Sequence, residues 1–250
     1  MTPRLDRRLL IALAAAAGLM APAAQAQAPS APLIGKPAPA FEAVDADGKT
    51  RSLSEFRGKT VVLEWTNNGC PYVRKHYDAG NMQALQAAAA RDGVVWLSIV
   101  SSAPGMQGYF TPAAAKAWKV KEKARAASVL LDPSGVVGRL YDARTTPHMY
   151  VIDRAGTLVY MGGIDDRPSA DPASLKGAKN YVAAALADVK AGRPVAQAAT
   201  RPYGCSVKYG SAGCATLCPG VGRGCPAPPR PPAADASSIC SPPNRIVWTG

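Results

Sequence analysis

The sequence predicts an α/β sandwich, with a central sheet covered by helices on both sides. Three observations lead there. Short apolar runs rich in Val, Ile and Leu recur between Gly35 and Lys190, longer helix-compatible stretches alternate with them, and helix caps and stops stand at the joints.

In chain order, Thr60–Thr66 (TVVLEWT) reads as the first clear strand. Cys70-Pro71 opens a helix, because proline suits a first helical turn. Asn81 is expected to cap a second helix that runs to Arg91. Gly93–Val100 (GVVWLSIV) is the next strand, and Thr111-Pro112 signals a cap and first turn for a helix through about Arg125. Ser128–Leu131 and Met149–Asp153 are strands, and Thr157–Met161 closes a hairpin across Arg154-Ala155-Gly156. Ser174 precedes a final helix that Gly192 stops. The continuous apolar character of the strands predicts burial on both faces.

The two ends of the chain read differently. Arg4, Arg7 and Arg8, an apolar run from Leu9 to Met20, and Ala24-Gln25-Ala26 have the order of a secretory signal peptide over residues 1–26, with the mature chain starting at Gln27. The apolar run is short for a bilayer span and no second one follows, so the expected location is periplasmic or extracellular, without a stable membrane span. Residues 27–209 are expected to form one folded domain. Residues 210–250 contain PAPPRPPAADASS, which carries too little apolar bulk for a core and is expected to be disordered. Cys214, Cys218, Cys225 and Cys240 lie in that tail; their spacing fits no standard zinc pattern, and a disulfide-knotted or functionless tail is the simpler reading.

The net charge of +12 suggests a polyanion partner until it is divided along the chain. The leader carries +2 and residues 191–250 carry +5, which leaves 20 basic against 15 acidic side chains over residues 27–190 with no dense basic run. Nucleic acid is excluded as the primary partner.

The informative segment is Val61–Tyr77, VVLEWTNNGCPYVRKHY. It places Cys70 at a helix N-terminus, where unpaired N–H groups and the helix dipole favour thiolate over thiol. Arg74, Lys75 and His76 add positive charge in the next turns. An inert, half-buried cysteine is the alternative. His76 and His148 are the only histidines, and either would activate the thiol if it touched Cys70.

This segment resembles the active-site strand and helix of thioredoxin-fold proteins. With Phe41, Asp47-Gly48, Leu53, Phe56-Arg57-Gly58-Lys59 and Val61-Val62-Leu63, residues 34–209 resemble redoxins of the alkyl hydroperoxide reductase and thiol-specific antioxidant superfamily. The resemblance implies a thioredoxin-like three-layer sandwich with a mixed sheet. It also implies a thiol-based oxidoreductase, exported as the leader predicts, in which Cys70 attacks a disulfide or a hydroperoxide. Glu64, six residues before Cys70, stands where thioredoxins hold a buried acid for proton transfer; an exposed strand residue is the other reading. Thr146-Pro147 before His148 resembles the cis-proline loop that packs on the cysteine and offers backbone groups to an extended substrate. Tyr203-Gly204-Cys205-Ser206-Val207-Lys208-Tyr209 is similar to the closing motif of these redoxins, so Cys205 is either a resolving thiol for Cys70 or a partner for the tail cysteines. The partners implied are a protein disulfide or thiol, or an external thiol reductant, with no cofactor and no metal.

Two departures narrow the branch. Val73 stands where thioredoxins carry their second cysteine, which rules out a local two-cysteine disulfide. Leu63 and Asn67 stand where peroxiredoxins carry Pro and Thr or Ser, and the position of their peroxide-binding arginine falls near Pro147 itself, so that arginine is absent, which counts against a fast peroxidase. The sequence therefore matches a peroxiredoxin-like group with a single thioredoxin-type cysteine. A thioredoxin-fold binding module without catalysis is the competing class.

Overall fold

A computed structural model describes residues 32–210. The leader assigned to residues 1–26, and the tail with Cys214, Cys218, Cys225 and Cys240, lie outside the described residues.

The elements in order are β1 (Glu42–Asp45), β2 (Thr50–Ser52), β3 (Val61–Trp65), α1 (Pro71–Asp78), α2 (Asn81–Arg91), β4 (Val95–Val100), α3 (Pro112–Lys121), β5 (Ser128–Leu131), α4 (Val136–Leu140), β6 (Thr145–Thr146), β7 (His148–Ile152), β8 (Leu158–Gly162), α5 (Tyr181–Lys190) and β9 (Cys205–Ser206). Short 3-10 turns at Leu53–Phe56 and Pro172–Leu175 complete the set. The main sheet has the order β2-β1-β5-β4-β3-β7-β8. Its middle strands β3, β4 and β5 are parallel, while β7 runs antiparallel to β3 and β1 antiparallel to β5. Parallel neighbours need a crossover. Here α1 with α2 joins β3 to β4, and α3 joins β4 to β5.

Side chains alternate across the sheet, so each central strand feeds two cores. Val62, Trp96, Val100, Met149 and Val151 pack with residues of α1, α2, α3 and α5, including Val73, Met82, Trp118 and Val182. Val61, Leu63, Trp65, Leu97, Ile99 and Tyr150 form the other layer with Phe41, Phe56 and Val137 of α4. All five residues of β3 and of β7 are buried, as the largely apolar character of these strands predicted, with Glu64 and His148 as the polar members. Helices lie on both faces, but unevenly: among the described residues the second face has only the five-residue α4 and the first 3-10 turn.

Several boundaries differ from expectation for local reasons. Asn81 is the first helical residue of α2; Gly80, with φ of 71°, is its cap. α3 stops at Lys121 rather than near Arg125, because Lys123 takes φ of 51° and the Ala124 N–H turns back to the Lys119 carbonyl. The final helix starts at Tyr181, capped by Asn180, whose side chain accepts from the Ala183 N–H at 2.8 Å. Ser174 lies in the second 3-10 turn, and Gly177 with φ of 69° separates that turn from α5. Gly192, with φ of 66°, follows the helix as the expected stop.

After α5 the chain returns as an extended strap over residues 198–209. It starts along the β8 edge, where the Met161 N–H donates to the Ala198 carbonyl and the Thr200 N–H to the Met161 carbonyl. It then forms β9, antiparallel to β6 with Thr146 opposite Cys205 and Thr145 opposite Ser206. It ends where the Ala103 N–H donates to the Lys208 carbonyl, beyond β4.

Candidate functional site

Asn67 shapes the loop that delivers Cys70. Its side-chain oxygen accepts from the Gly69 N–H at 2.8 Å and its carbonyl from the Cys70 N–H at 3.0 Å. Its amide donates to the Gln107 carbonyl at 3.3 Å, which ties this loop to the one after β4. Cys70 then becomes the cap residue of α1, with Pro71 in the first turn as predicted.

The Cys70 side chain has no exposed surface. Its thiol donates to the Thr146 carbonyl at 3.1 Å, and the Thr146–Pro147 bond is cis, as the resemblance implied. Burial raises the Cys70 pKa, but the Cys205 thiol, the Thr146 side chain and the backbone N–H groups of Cys205 and Val73 outweigh it, leaving the thiol below its ordinary value of 9.0. Val73 is in the first turn of α1, so the helix N-terminus contributes as expected. The basic side chains do not: Arg74 pairs with Asp78 at 3.6 Å, and Lys75 and His76 are buried elsewhere.

Cys205 is half-buried, and both cysteines are free thiols. Burial and then the Cys70 sulfur push its pKa up to about 11. The pair therefore divides its roles, with the negative charge favoured on Cys70 and the proton on Cys205.

Neither histidine is hydrogen-bonded to Cys70, so the condition for a Cys–His pair is not met in this structure. His148 follows cis-Pro147, but strand alternation turns it to the face of Tyr150, away from the core layer that holds Cys70. Its ring lies 4.6 Å from that of Tyr150, and burial lowers its pKa to about 3. His76 accepts from the Asn81 side chain at Nδ1, 2.8 Å, and faces the Tyr203 hydroxyl at Nε2, 3.4 Å. Burial and the Lys75 charge lower its pKa to about 3 as well.

Glu64 is fully buried, which settles the choice between buried and exposed. Its carboxylate accepts from Trp96 at 2.7 Å, Tyr77 at 2.9 Å, Ser98 at 3.1 Å and Gln86 at 3.2 Å. Burial raises its pKa despite these four donors. No hydrogen bond joins it to Cys70.

A cluster that sequence reasoning missed ties α1 to the strap. Lys75 and Asp165 are both buried, with Nζ 3.8 Å from Oδ2. Lys75 also donates to the Arg167 carbonyl at 2.7 Å and lies 5.0 Å from the centre of the Tyr203 ring. Tyr203 donates a short hydrogen bond to Asp165 Oδ1, two residues before Cys205. Only Tyr203 carried a signal, as part of the closing motif; nothing in the sequence points to Asp165.

Among the described residues, no group of three or more His, Cys, Asp or Glu can hold a metal ion, and no helix is long and apolar enough to cross a membrane. A groove between α2 and α5, lined by Thr60, Leu85, Asp92, Arg154 and Leu186, opens at the start of β3, the end opposite Cys70.

Comparison with curated proteins finds no match. Among solved structures, an uncharacterized conserved protein from Geobacillus kaustophilus is similar at 26% identity and a TM-score of 0.64, over 72% of this chain and 94% of that one. A hypothetical protein from Sinorhizobium meliloti 1021 is similar at 25% identity and a TM-score of 0.62, over 73% of this chain and 98% of that one. The model of the AhpC/TSA family matches residues 34–161, which take in the sheet from β1 to β8, the Cys70 helix and the cis-Pro147 loop. The chain is a redoxin and belongs to the AhpC/TSA family.

Proposed function

We propose that this protein is an exported thiol oxidoreductase that cycles between a Cys70/Cys205 dithiol and a Cys70–Cys205 disulfide. The observation that carries the reading is the β6–β9 register, which sets Cys205 opposite Thr146, the residue whose carbonyl accepts the Cys70 thiol.

The Cys70 thiolate attacks either a hydroperoxide or a disulfide. With a hydroperoxide it takes one oxygen, giving a sulfenic acid and an alcohol or water, and the Cys205 thiol displaces water to form the disulfide. With a disulfide it forms a mixed disulfide and releases one thiol; Cys205 then attacks the Cys70 sulfur and releases the second. Two thiols from an external reductant restore the dithiol and leave as a disulfide. Residues 27–209 act as one redoxin domain, with Thr146 and Pro147 shaping the site, Glu64 buried beneath it and His148 in the opposite layer. The leader over residues 1–26 delivers the chain to an oxidising compartment, periplasmic or extracellular, where such a cycle finds oxidant.

The buried state of Cys70 favours a second reading, a binding module in which the cysteine never reacts. The test is peptide mapping after treatment with hydrogen peroxide or a low-molecular-weight disulfide, with Cys70→Ser and Cys205→Ser as controls. A Cys70–Cys205 crosslink in the wild type supports the cycle. Recovery of Cys70 as unmodified thiol under both oxidants supports the binding module.

A further inference from the structure

We infer that the strap over residues 198–209 selects the oxidant by size. While it is docked, Cys70 reacts with small oxidants such as hydrogen peroxide and is closed to a disulfide carried on a polypeptide. This deepens the reading above and rests on Cys70 being the nucleophile.

The strap occupies the backbone edge beside the sulfur. β6 has only Thr145 and Thr146, and β9 pairs with both. The Val207 N–H extends the ladder to the Arg144 carbonyl at 3.0 Å. An incoming polypeptide that lays a strand next to Cys70 finds that edge taken by the chain itself. Attack on a disulfide also needs the leaving sulfur on the far side of the attacked one, so both arms of a peptide disulfide must fit over the site. A peroxide brings only two oxygen atoms.

The docking is built into the receiving surface. At Gly204, with φ of 127°, a β-carbon would lie 2.0 Å from the Thr146 carbonyl oxygen. At Gly162 it would lie 2.5 Å from the Thr200 carbonyl oxygen, and at Gly138 it would lie 2.4 Å from the Tyr209 hydroxyl. The strap thus runs in a track with no room for those side chains. It is pinned along its length: Thr200 bonds Tyr160 at 2.7 Å and the Gly163 N–H at 3.0 Å, Tyr203 bonds Asp165, and Tyr209 bonds the Ala143 carbonyl at 2.7 Å.

These anchors divide the opening into two scales. A local excursion of Gly204 and Cys205, between the Tyr203 and Val207 anchors, uncovers the sulfur for a small molecule. Clearing the edge for a strand requires several anchors to release together, a rarer opening.

The test measures Cys70 oxidation by hydrogen peroxide and by a short peptide joined through a mixed disulfide to a chromogenic thiol, in wild type and Gly204→Val. The readout is the ratio of the peptide rate to the peroxide rate, which cancels any change in thiolate fraction. A β-branched side chain at 204 cannot sit over Thr146, so the ratio rises by roughly tenfold or more as the opened strap becomes populated. An unchanged ratio overturns the inference. If Gly204→Val fails to fold, Tyr203→Phe removes one anchor without adding bulk, and the ratio rises by about threefold; no rise overturns the inference there too. A Cys70 that reacts with neither oxidant in any of these proteins defeats the nucleophile reading itself, a result distinct from a failure of size selection.

Discussion

The Cys70 sulfur lies 3.1 Å from the Thr146 carbonyl oxygen, across 76 residues of sequence, and Thr146 in turn faces Cys205 in the β6–β9 pair. Three distant segments, the start of α1, the cis-Pro147 loop and the strap, thus meet at one atom. Two backbone N–H groups and two side chains oppose the penalty of burying a thiolate there. The arrangement concerns Cys70 first, since burial and then the Cys70 sulfur raise the Cys205 pKa.

The two thiols should therefore titrate apart. Alkylation followed by site-resolved mass spectrometry gives a Cys70 midpoint below 9.0 and a Cys205 midpoint near 11. Cys205→Ala removes the strongest opposing donor and moves the Cys70 midpoint upward. Faster alkylation of Cys205 than of Cys70 at neutral pH contradicts the assignment, provided that rates are compared with a reagent small enough to reach both.

Crosslinking Cys70 to Cys205 closes a loop of well over a hundred residues. In the chain-entropy model such a loop stabilises by up to about 4 to 5 kcal/mol, less any strain that the bond imposes on the native state. Oxidised protein should unfold in urea at a higher midpoint than reduced protein, by roughly 2 to 4 kcal/mol. Cys205→Ser should abolish that redox dependence. Equal midpoints for the two redox states of the wild type count against a Cys70–Cys205 bond.

How far the sequence reaches can be judged residue by residue. The strands were legible because Val61–Trp65 and His148–Ile152 are apolar but for Glu64 and His148, close to the pattern that burial on both faces demands. Cys70 at a helix start was legible from Pro71 alone. The hairpin of β1 and β2 was missed because its residues, EAVD and TRS, are short and polar at a sheet edge. α4 and the two-residue strands β6 and β9 are too short to show a period. Glu64 could not be assigned as buried from its own segment. Its partners were nevertheless in plain view, since Trp96 and Ser98 alternate along β4 on the side that Glu64 faces, and a lone serine in GVVWLSIV calls for a polar neighbour. His148 adjoins Pro147 in sequence, yet counting one residue along the strand turns it to the other face.

The buried histidines give the protein an acid limit. Both have pKa values near 3, far below the ordinary 6.5, so the unfolded chain takes up these protons first. Their contribution to stability is complete above about pH 6.5 and is lost as the pH falls towards 3, at a cost on the order of 2 kcal/mol per histidine by pH 5. Glu64 works in the opposite sense, because its raised pKa makes proton uptake favour the folded state. Urea midpoints at pH 7.5 and pH 5 in a Glu64→Gln background isolate the histidine effect. His148→Asn should then lose part of the slope. A flat profile between those two pH values shows that the histidines are not held neutral.

The Lys75–Asp165 pair gives the last prediction, on how α1 and the strap are held together. Both charges are buried, and the Lys75 pKa is lowered by that burial, with Asp165 and Asp171 opposing the shift. Removing either partner alone strands the other charge, so Lys75→Met or Asp165→Asn should each cost roughly 3 to 5 kcal/mol. Removing both charges leaves neither stranded, and the double variant should cost clearly less than the sum, with a coupling of about 1 to 3 kcal/mol. The two singles are not equivalent in their wider effects. Asp165→Asn keeps a side-chain oxygen for the Tyr203 hydroxyl, whereas Lys75→Met leaves the Asp165 charge with the Tyr203 hydroxyl, the Arg167 N–H at 2.9 Å and His76, without its ammonium partner. A lone buried carboxylate favours a protonated imidazole, so Lys75→Met should also raise the His76 pKa above 3, a shift visible in its ring proton resonances. Additive single costs together with an unmoved His76 would mean that the cluster does not act as one unit, and that the strap is held by its backbone pairing alone.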